Sequence, residues 1–293
     1  MTDTERREKT LKQNIQHILL VLFGTISGIF VILCLCCFLK EQEQKRVITE
    51  KMAADGPVNI LVLGDSIWDL ERGESGIAAL LEQELSHQAK VYNLAIKGSR
   101  AAGYKGREFQ KENAVCLSSM VQYLTGQTEN AIPEEYEAAK LISDVDLVQM
   151  DYVILAYGLN DYFGAVQQKN LQDGFDTSTY AGAMCAAIRS MKGINPKLRF
   201  VVVSPTYCQG YSYGQVIHES MQHDYGNGTG YDYAMTAKEV AASFDGIYVD
   251  QYEGLEISIH NGAKYLIDAT HLTEKGRRIY AENVARRMIE ECK

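Results

Sequence analysis

The chain has 293 residues, 46% of them hydrophobic, enough to bury one large core or two modest ones. Its 29 Lys and Arg stand against 38 Asp and Glu, a formal charge of −9. Nucleic acid, whose phosphates need a basic surface, is excluded as a partner.

A short N-terminal tail, residues 1–17, carries Arg6, Arg7, Lys9 and Lys12. It leads into "ILLVLFGTISGIFVILCLCCFL", residues 18–39, 22 residues without a charge. As a helix this run is about 33 Å long, enough for a hydrocarbon core of about 30 Å. It is too long for a signal peptide's apolar region and lacks a small-residue cleavage site. A buried core helix is the alternative, but so long a charge-free run at the N-terminus reads as a transmembrane helix whose partner is the lipid bilayer. Lys40, Lys45, Arg46 and Lys51 in the charged connector, residues 40–57, balance the four cations before the span. The positive-inside count therefore decides nothing. The short tail favours a cytoplasmic N-terminus, making this a single-pass cell-membrane protein with residues 58–293 as an extracellular domain. Cys34, Cys36 and Cys37 lie in the apolar run. Cys116, Cys185, Cys208 and Cys292 are scattered, without metal-ligand spacing, and read as small hydrophobes.

From Asn59 onward short β-branched runs alternate with helical spacing. The predicted strands are Asn59–Leu63, Lys90–Asn93, Tyr152–Ala156, Arg199–Ser204 and Gly246–Asp250. Between them lie apolar stripes such as Ile77, Leu80, Leu81 and Leu85, and Ala183, Ala187, Ile188 and Met191. A last stripe, Ile279, Val284, Met288 and Ile289, closes the chain. Strands alternating with helices predict an α/β fold, a three-layer α/β/α sandwich around a five-stranded parallel sheet. Ligands bind such sheets beyond the carboxyl ends of the strands.

Residues with reactive chemistry fall at those ends. "GDS" follows the first strand, where Ser66 is either a nucleophile or the N-cap of the next helix. Asp65 reads as a turn-shaping acid. A serine nucleophile needs a base and an acid to orient it. "DATH" supplies both, His271 and, three residues earlier, Asp268, in the loop before the last helix. Gly98 after the second strand offers a backbone N–H, and Asn160 in "GLND" after the third offers a side-chain amide. Both are donors for an oxyanion, though each is also an ordinary turn residue.

These four blocks, in this order over most of residues 58–293, resemble those of the SGNH (GDSL-type) hydrolases. The resemblance implies a flavodoxin-like fold and ester chemistry with no metal or other cofactor. It assigns Ser66 as nucleophile, His271 as base, Asp268 as its orienting acid, and Ser66 N–H, Gly98 and Asn160 as oxyanion donors. Asn93, Gly158, Asp161 and Gly276 also fit the family's flanking pattern, whereas "IWDL" after the serine departs from it.

A competing signal is "GYSYG", Gly210–Gly214, which satisfies the G-x-S-x-G pattern of α/β-hydrolases with Ser212 as its serine. Pro205 and "TYCQ" separate it from the end of the fourth strand, where that nucleophile belongs. The surrounding stretch, residues 205–233, reads instead as a tyrosine-rich loop beside the catalytic edge. Tyr207, Tyr211 and Tyr213 there, with Trp68 beside the serine, are the candidate substrate contacts. His218 and His223, five apart, are poorly spaced for a metal.

The expected function is a membrane-anchored serine esterase acting on an ester substrate, an acetylated polysaccharide or a small acyl ester. An acyltransferase or a lysophospholipase-like lipase would use the same residues. A catalytically silent glycan-binding surface protein is the alternative of another class.

Overall fold

The computed structural model describes residues 56–104, 113–128 and 131–291, together with single positions and short runs between 28 and 50. The chain divides into two units, residues 1–48 and 49–293. Most of the apolar run 18–39 lies outside the described residues, and those described between 28 and 50 are helical and exposed. Among the described residues no helix is long and apolar enough to cross a membrane.

The second unit is built on five strands. They are β1 (Val58–Gly64), β2 (Ala89–Asn93), β3 (Tyr152–Ala156), β4 (Arg199–Val203) and β7 (Ile247–Val249). They form one sheet in the order β2-β1-β3-β4-β7, and every pairing is parallel. The expected five-stranded α/β architecture is therefore the one observed. The central strands are apolar on both faces because both faces are covered. Ile60, Leu61, Val62 and Leu63 have no exposed surface, nor have Val153, Ile154 and Leu155. Each such side chain contributes about 1.5–3 kcal/mol relative to its exposed state.

Helices α1 (Ser66–Asp69) and α2 (Ile77–Glu84) follow β1, and α3 (Leu117–Leu124) and α4 (Glu137–Leu141) follow β2. Helices α5 (Leu159–Phe163) and α6 (Tyr180–Ile194) follow β3, and α7 (Gly230–Ser243) precedes β7. Helices α8 (Gly262–Tyr265) and α9 (Glu274–Glu290) end the chain. Helix α2 packs on α9, whereas α3 and α7 pack on α6, which gives the two helical layers. The buried stripe of α9 runs through Tyr280, Ala281, Val284, Ala285, Met288 and Ile289. Tyr280 thus takes the place expected for Ile279, because its ring lies edge-on to Trp68 with centroids 5.8 Å apart.

The region after β4 departs from the expected loop. Residues expected to form a loop make an antiparallel hairpin, β5 (Gln209–Ser212) and β6 (Gln215–Glu219). Ser212 pairs with Gln215, and Tyr213 and Gly214 turn the chain with φ of +50° and +77°. Two consecutive positive φ values are the signature of a primed hairpin turn. "GYSYG" is therefore a hairpin tip and not a strand-to-helix nucleophile turn.

Candidate active site

Strand β1 ends at Gly64, and the chain turns at once into the single turn α1. Asp65, not Ser66, caps that turn: its carboxylate accepts the Ile67 N–H at 3.0 Å. Ser66 is thus free of capping and half-buried at the carboxyl edge of the sheet. Burial pushes the Asp65 carboxyl up to about 7, against the pull of the Ile67 N–H.

At the far end of the chain, residues 265–273 form a tight loop before α9. Ile267 N–H donates to His271 O at 2.7 Å, and Thr273 N–H donates to Tyr265 O at 2.8 Å. Asp268 Oδ1 accepts the N–H groups of Thr270 and His271, both at 2.7 Å. Its Oδ2 lies 2.7 Å from His271 Nδ1, and His271 Nε2 lies 2.9 Å from Ser66 Oγ. Burial works against the Asp268 charge, but the bonds from the His271 ring and from the His271 and Thr270 N–H groups hold its carboxyl below the usual range. An ionised carboxylate only accepts, so Nδ1 carries the ring proton and Nε2 is left to accept the Ser66 hydroxyl. The spacing of 205 residues between serine and histidine is closed by a direct contact.

The loop after β2 carries Gly98, whose φ of +76° is a left-handed conformation that favours glycine. The loop is tied to α5 by two consecutive residues. Asn160 Nδ2 donates to Ser99 O at 2.9 Å. Fully buried Asp161 accepts the N–H groups of Ala101 and Ala102, each at 3.0 Å. Burial pushes the Asp161 carboxyl up to about 6, while the Ala102 and Ala101 N–H groups and Arg100 pull it down. Asn93 fixes the same loop from below, donating to Trp68 O at 2.9 Å and accepting the Ala95 N–H at 3.1 Å. The Asp69–Arg72 pair, at 2.7 Å, is a further clamp. Arg72 reaches the carbonyls of Asn93 and Ala95, and Asp69 accepts the Lys97 N–H. Nothing in the spacing of Asp69 and Arg72 singled them out, because their partners are backbone groups of another loop.

The expected substrate contacts separate into two pairs. Trp68 has no exposed surface, and its indole N–H donates to Tyr280 OH at 3.0 Å, so it packs under the site and cannot wall a pocket. Tyr207 is also buried, its hydroxyl donating to Glu219 at 2.7 Å. This corrects the expectation for both: each ring is enclosed by the core. Tyr211 and Tyr213 are exposed on the hairpin, Tyr213 at its tip. Gln209, at the hairpin base, donates its N–H to Ala269 O at 2.8 Å and so fastens the hairpin to the Asp268–His271 loop. His218 and His223 stack face to face, with centroids 3.8 Å apart. Among the described residues no group of three His, Cys, Asp or Glu side chains could hold a metal ion.

Comparison with solved structures places the chain among proteins of the same fold. A candidate lipase from Chitinophaga pinensis is 16% identical with a TM-score of 0.54, covering 78% of this chain and 96% of its own. A Lactobacillus plantarum protein is 19% identical with a TM-score of 0.53, covering 79% and 96%. A candidate GDSL-like lipase from Parabacteroides merdae is 19% identical with a TM-score of 0.51, covering 81% and 97%. No curated protein matches the chain. The family model of the GDSL-like lipases and acylhydrolases matches residues 62–279, a span that runs from β1 through Ser66 to the first turns of α9. The chain belongs to the GDSL-like lipase/acylhydrolase family, and it is an ester hydrolase.

Proposed function

We propose that the protein is a membrane-anchored serine esterase that removes short acyl groups, acetyl above all, from glycans or small alcohols. The observation that carries the chemistry is the unbroken contact chain from Ser66 Oγ through His271 to Asp268. His271 Nε2 takes the serine proton as Oγ attacks the ester carbonyl, and Asp268 stabilises the imidazolium that forms. The tetrahedral oxyanion is held by the N–H groups of Ser66 and Gly98 and by the Asn160 amide. Its collapse expels the alcohol, which takes the proton from His271. Water, activated by the same histidine, then releases the acid from Ser66.

One feature supports the substrate reading. The exposed rings of Tyr211 and Tyr213 stand on the hairpin fastened to the histidine loop and suit stacking on sugars. Anchoring rests on the 22-residue charge-free run, residues 18–39.

The test is hydrolysis of 4-nitrophenyl acetate by the wild type, Ser66→Ala and Ser212→Ala. Ser66→Ala is expected to lose about 10⁴-fold or more in kcat, and Ser212→Ala to stay within about twofold. Loss confined to Ser212→Ala would overturn the assignment, and glycan binding without any turnover would leave a silent module.

A further inference from the structure

The loop that presents His271 is bonded mainly to itself. Asp268 accepts the Thr270 and His271 N–H groups, and Ile267 N–H donates to His271 O, all within residues 267–271. These bonds fix the acid to the histidine, but they do not fix the pair to Ser66. Packing holds only the neck, where Leu266 and Leu272 are buried, whereas Ile267 and Asp268 at the apex are exposed. Among the described residues, two hydrogen bonds leave this apex for another element. One joins His271 Nε2 to Ser66 Oγ at 2.9 Å, and the other brings the Gln209 N–H to Ala269 O at 2.8 Å. Where His271 stands relative to Ser66 therefore depends on where Gln209 stands.

Gln209 is buried, and its side chain is the middle of a polar chain. Exposed Tyr211 donates its hydroxyl to Gln209 Oε1 at 2.7 Å. Gln209 Nε2 donates to Tyr207 OH at 3.1 Å, and Tyr207 OH donates to Glu219 at 2.7 Å. Each donor meets an acceptor, so both ends of the amide are satisfied. A buried amide is costly without such partners, and these bonds hold residue 209 in one place. The same amide lies on Gly262, where a Cβ would fall 2.8 Å from Nε2. Gly262 opens α8, and Tyr265 at its end accepts the Thr273 N–H at the neck of the histidine loop. Gln209 thus meets the approach to the loop through its side chain and the apex through its backbone.

We propose that Gln209 is a positioning residue that sets His271 against Ser66, its amide held for that task by Tyr207 and Tyr211. This rests on the reading of Ser66, His271 and Asp268 as the reacting groups.

The test compares the full-length wild type with Gln209→Leu, Tyr207→Phe and the double variant on 4-nitrophenyl acetate. Gln209→Leu keeps the backbone N–H and a branched side chain but deletes the amide. It should lower kcat by about tenfold to 10²-fold, the scale of a 1 Å misplacement, with KM within about twofold. Tyr207→Phe should show part of that loss, and the double variant no more than Gln209→Leu alone, because both substitutions cut one chain. The acid limb of kcat/KM should stay at its wild-type pH, because the Asp268–His271 bonds lie within the loop. An unchanged kcat in Gln209→Leu overturns the inference. So do losses that multiply in the double variant, or an acid limb that moves with the loss, since either would mean that Gln209 only supports the fold. Where Gln209→Leu does not fold, Tyr207→Phe, which keeps its ring, carries the same comparison. The rate of fluorophosphonate labelling at Ser66, mapped by mass spectrometry, reads the contact without ester turnover. It should slow in Gln209→Leu by the factor lost in kcat, and equal labelling overturns the inference while leaving the serine reading intact. Hydrolysis by the wild type with no label at Ser66 rejects that reading and the inference with it.

Discussion

Asn160 donates to Ser99 O at 2.9 Å while the next residue, Asp161, ties down Ala101 and Ala102. Two adjacent side chains thus shape the Gly98 loop, half-buried Asn160 and fully buried Asp161. In the reaction Asn160 would turn its amide toward the oxyanion, and removing one such donor costs about 10²–10³ in rate. Asn160→Ala is accordingly expected to lower kcat on 4-nitrophenyl acetate by about that factor, with a small change in KM. A loss carried by KM alone would show that the amide only holds the loop. Asn160 and Asp161 were legible in the sequence as one "ND" pair, but their different jobs were not. The difference arises from burial: Asp161 has no exposed surface, and Asn160 stands at the rim.

Between residue and fold stands the β5–β6 hairpin. It is fastened to the histidine loop by Gln209 and backed by the stacked His218 and His223. Tyr225 stands edge-on to both rings, at 6.0 and 4.5 Å. Asp224 faces His223, and Glu219 on β6 is engaged by Tyr207. Burial first, and then the neighbouring His223, push His218 below its ordinary value of 6.5. The sign follows from proton linkage. The unfolded hairpin takes up a proton near 6.5 more readily than the folded one, so the contribution of His218 is present above that value and fades as pH falls through it. The opening of β5 and β6, read as amide exchange relative to the intrinsic rate at each pH, should therefore rise on acidification through about pH 6.5, and His218→Phe should flatten that dependence. An unchanged profile in His218→Phe would assign the effect elsewhere. The hairpin was hidden in the sequence because Gln209–Ser212 and Gln215–Glu219 lack a strong β-branched pattern, and its turn is Tyr-Gly rather than Asn-Gly.

At the scale of the whole molecule, the proposed anchor makes a prediction about partitioning. The full chain should sediment with membranes and resist extraction by high salt and carbonate, yielding only to detergent. External protease on intact cells should remove the esterase activity from the cell surface. Release of the chain by salt would reject a spanning helix, and protection from protease would reverse the orientation.

The sequence by itself determined the architecture and the order of the site's parts. Continuous apolar runs mark fully covered parallel strands, and in a parallel sheet whatever follows each strand lies at the same edge. Ser66, Gly98, Asn160 and the Asp268–His271 turn were therefore destined for one neighbourhood before any distance was known. Only the tertiary structure decided which side chains face into that neighbourhood. Trp68 and Tyr207 stand as near the site in sequence as Ser66 and Tyr211, yet both are enclosed, Trp68 by Tyr280 and Tyr207 by Glu219 and Tyr252. Local pattern sets which segments form strands and helices. Whether an aromatic ring meets substrate or core depends on what packs against it from segments up to 212 residues away.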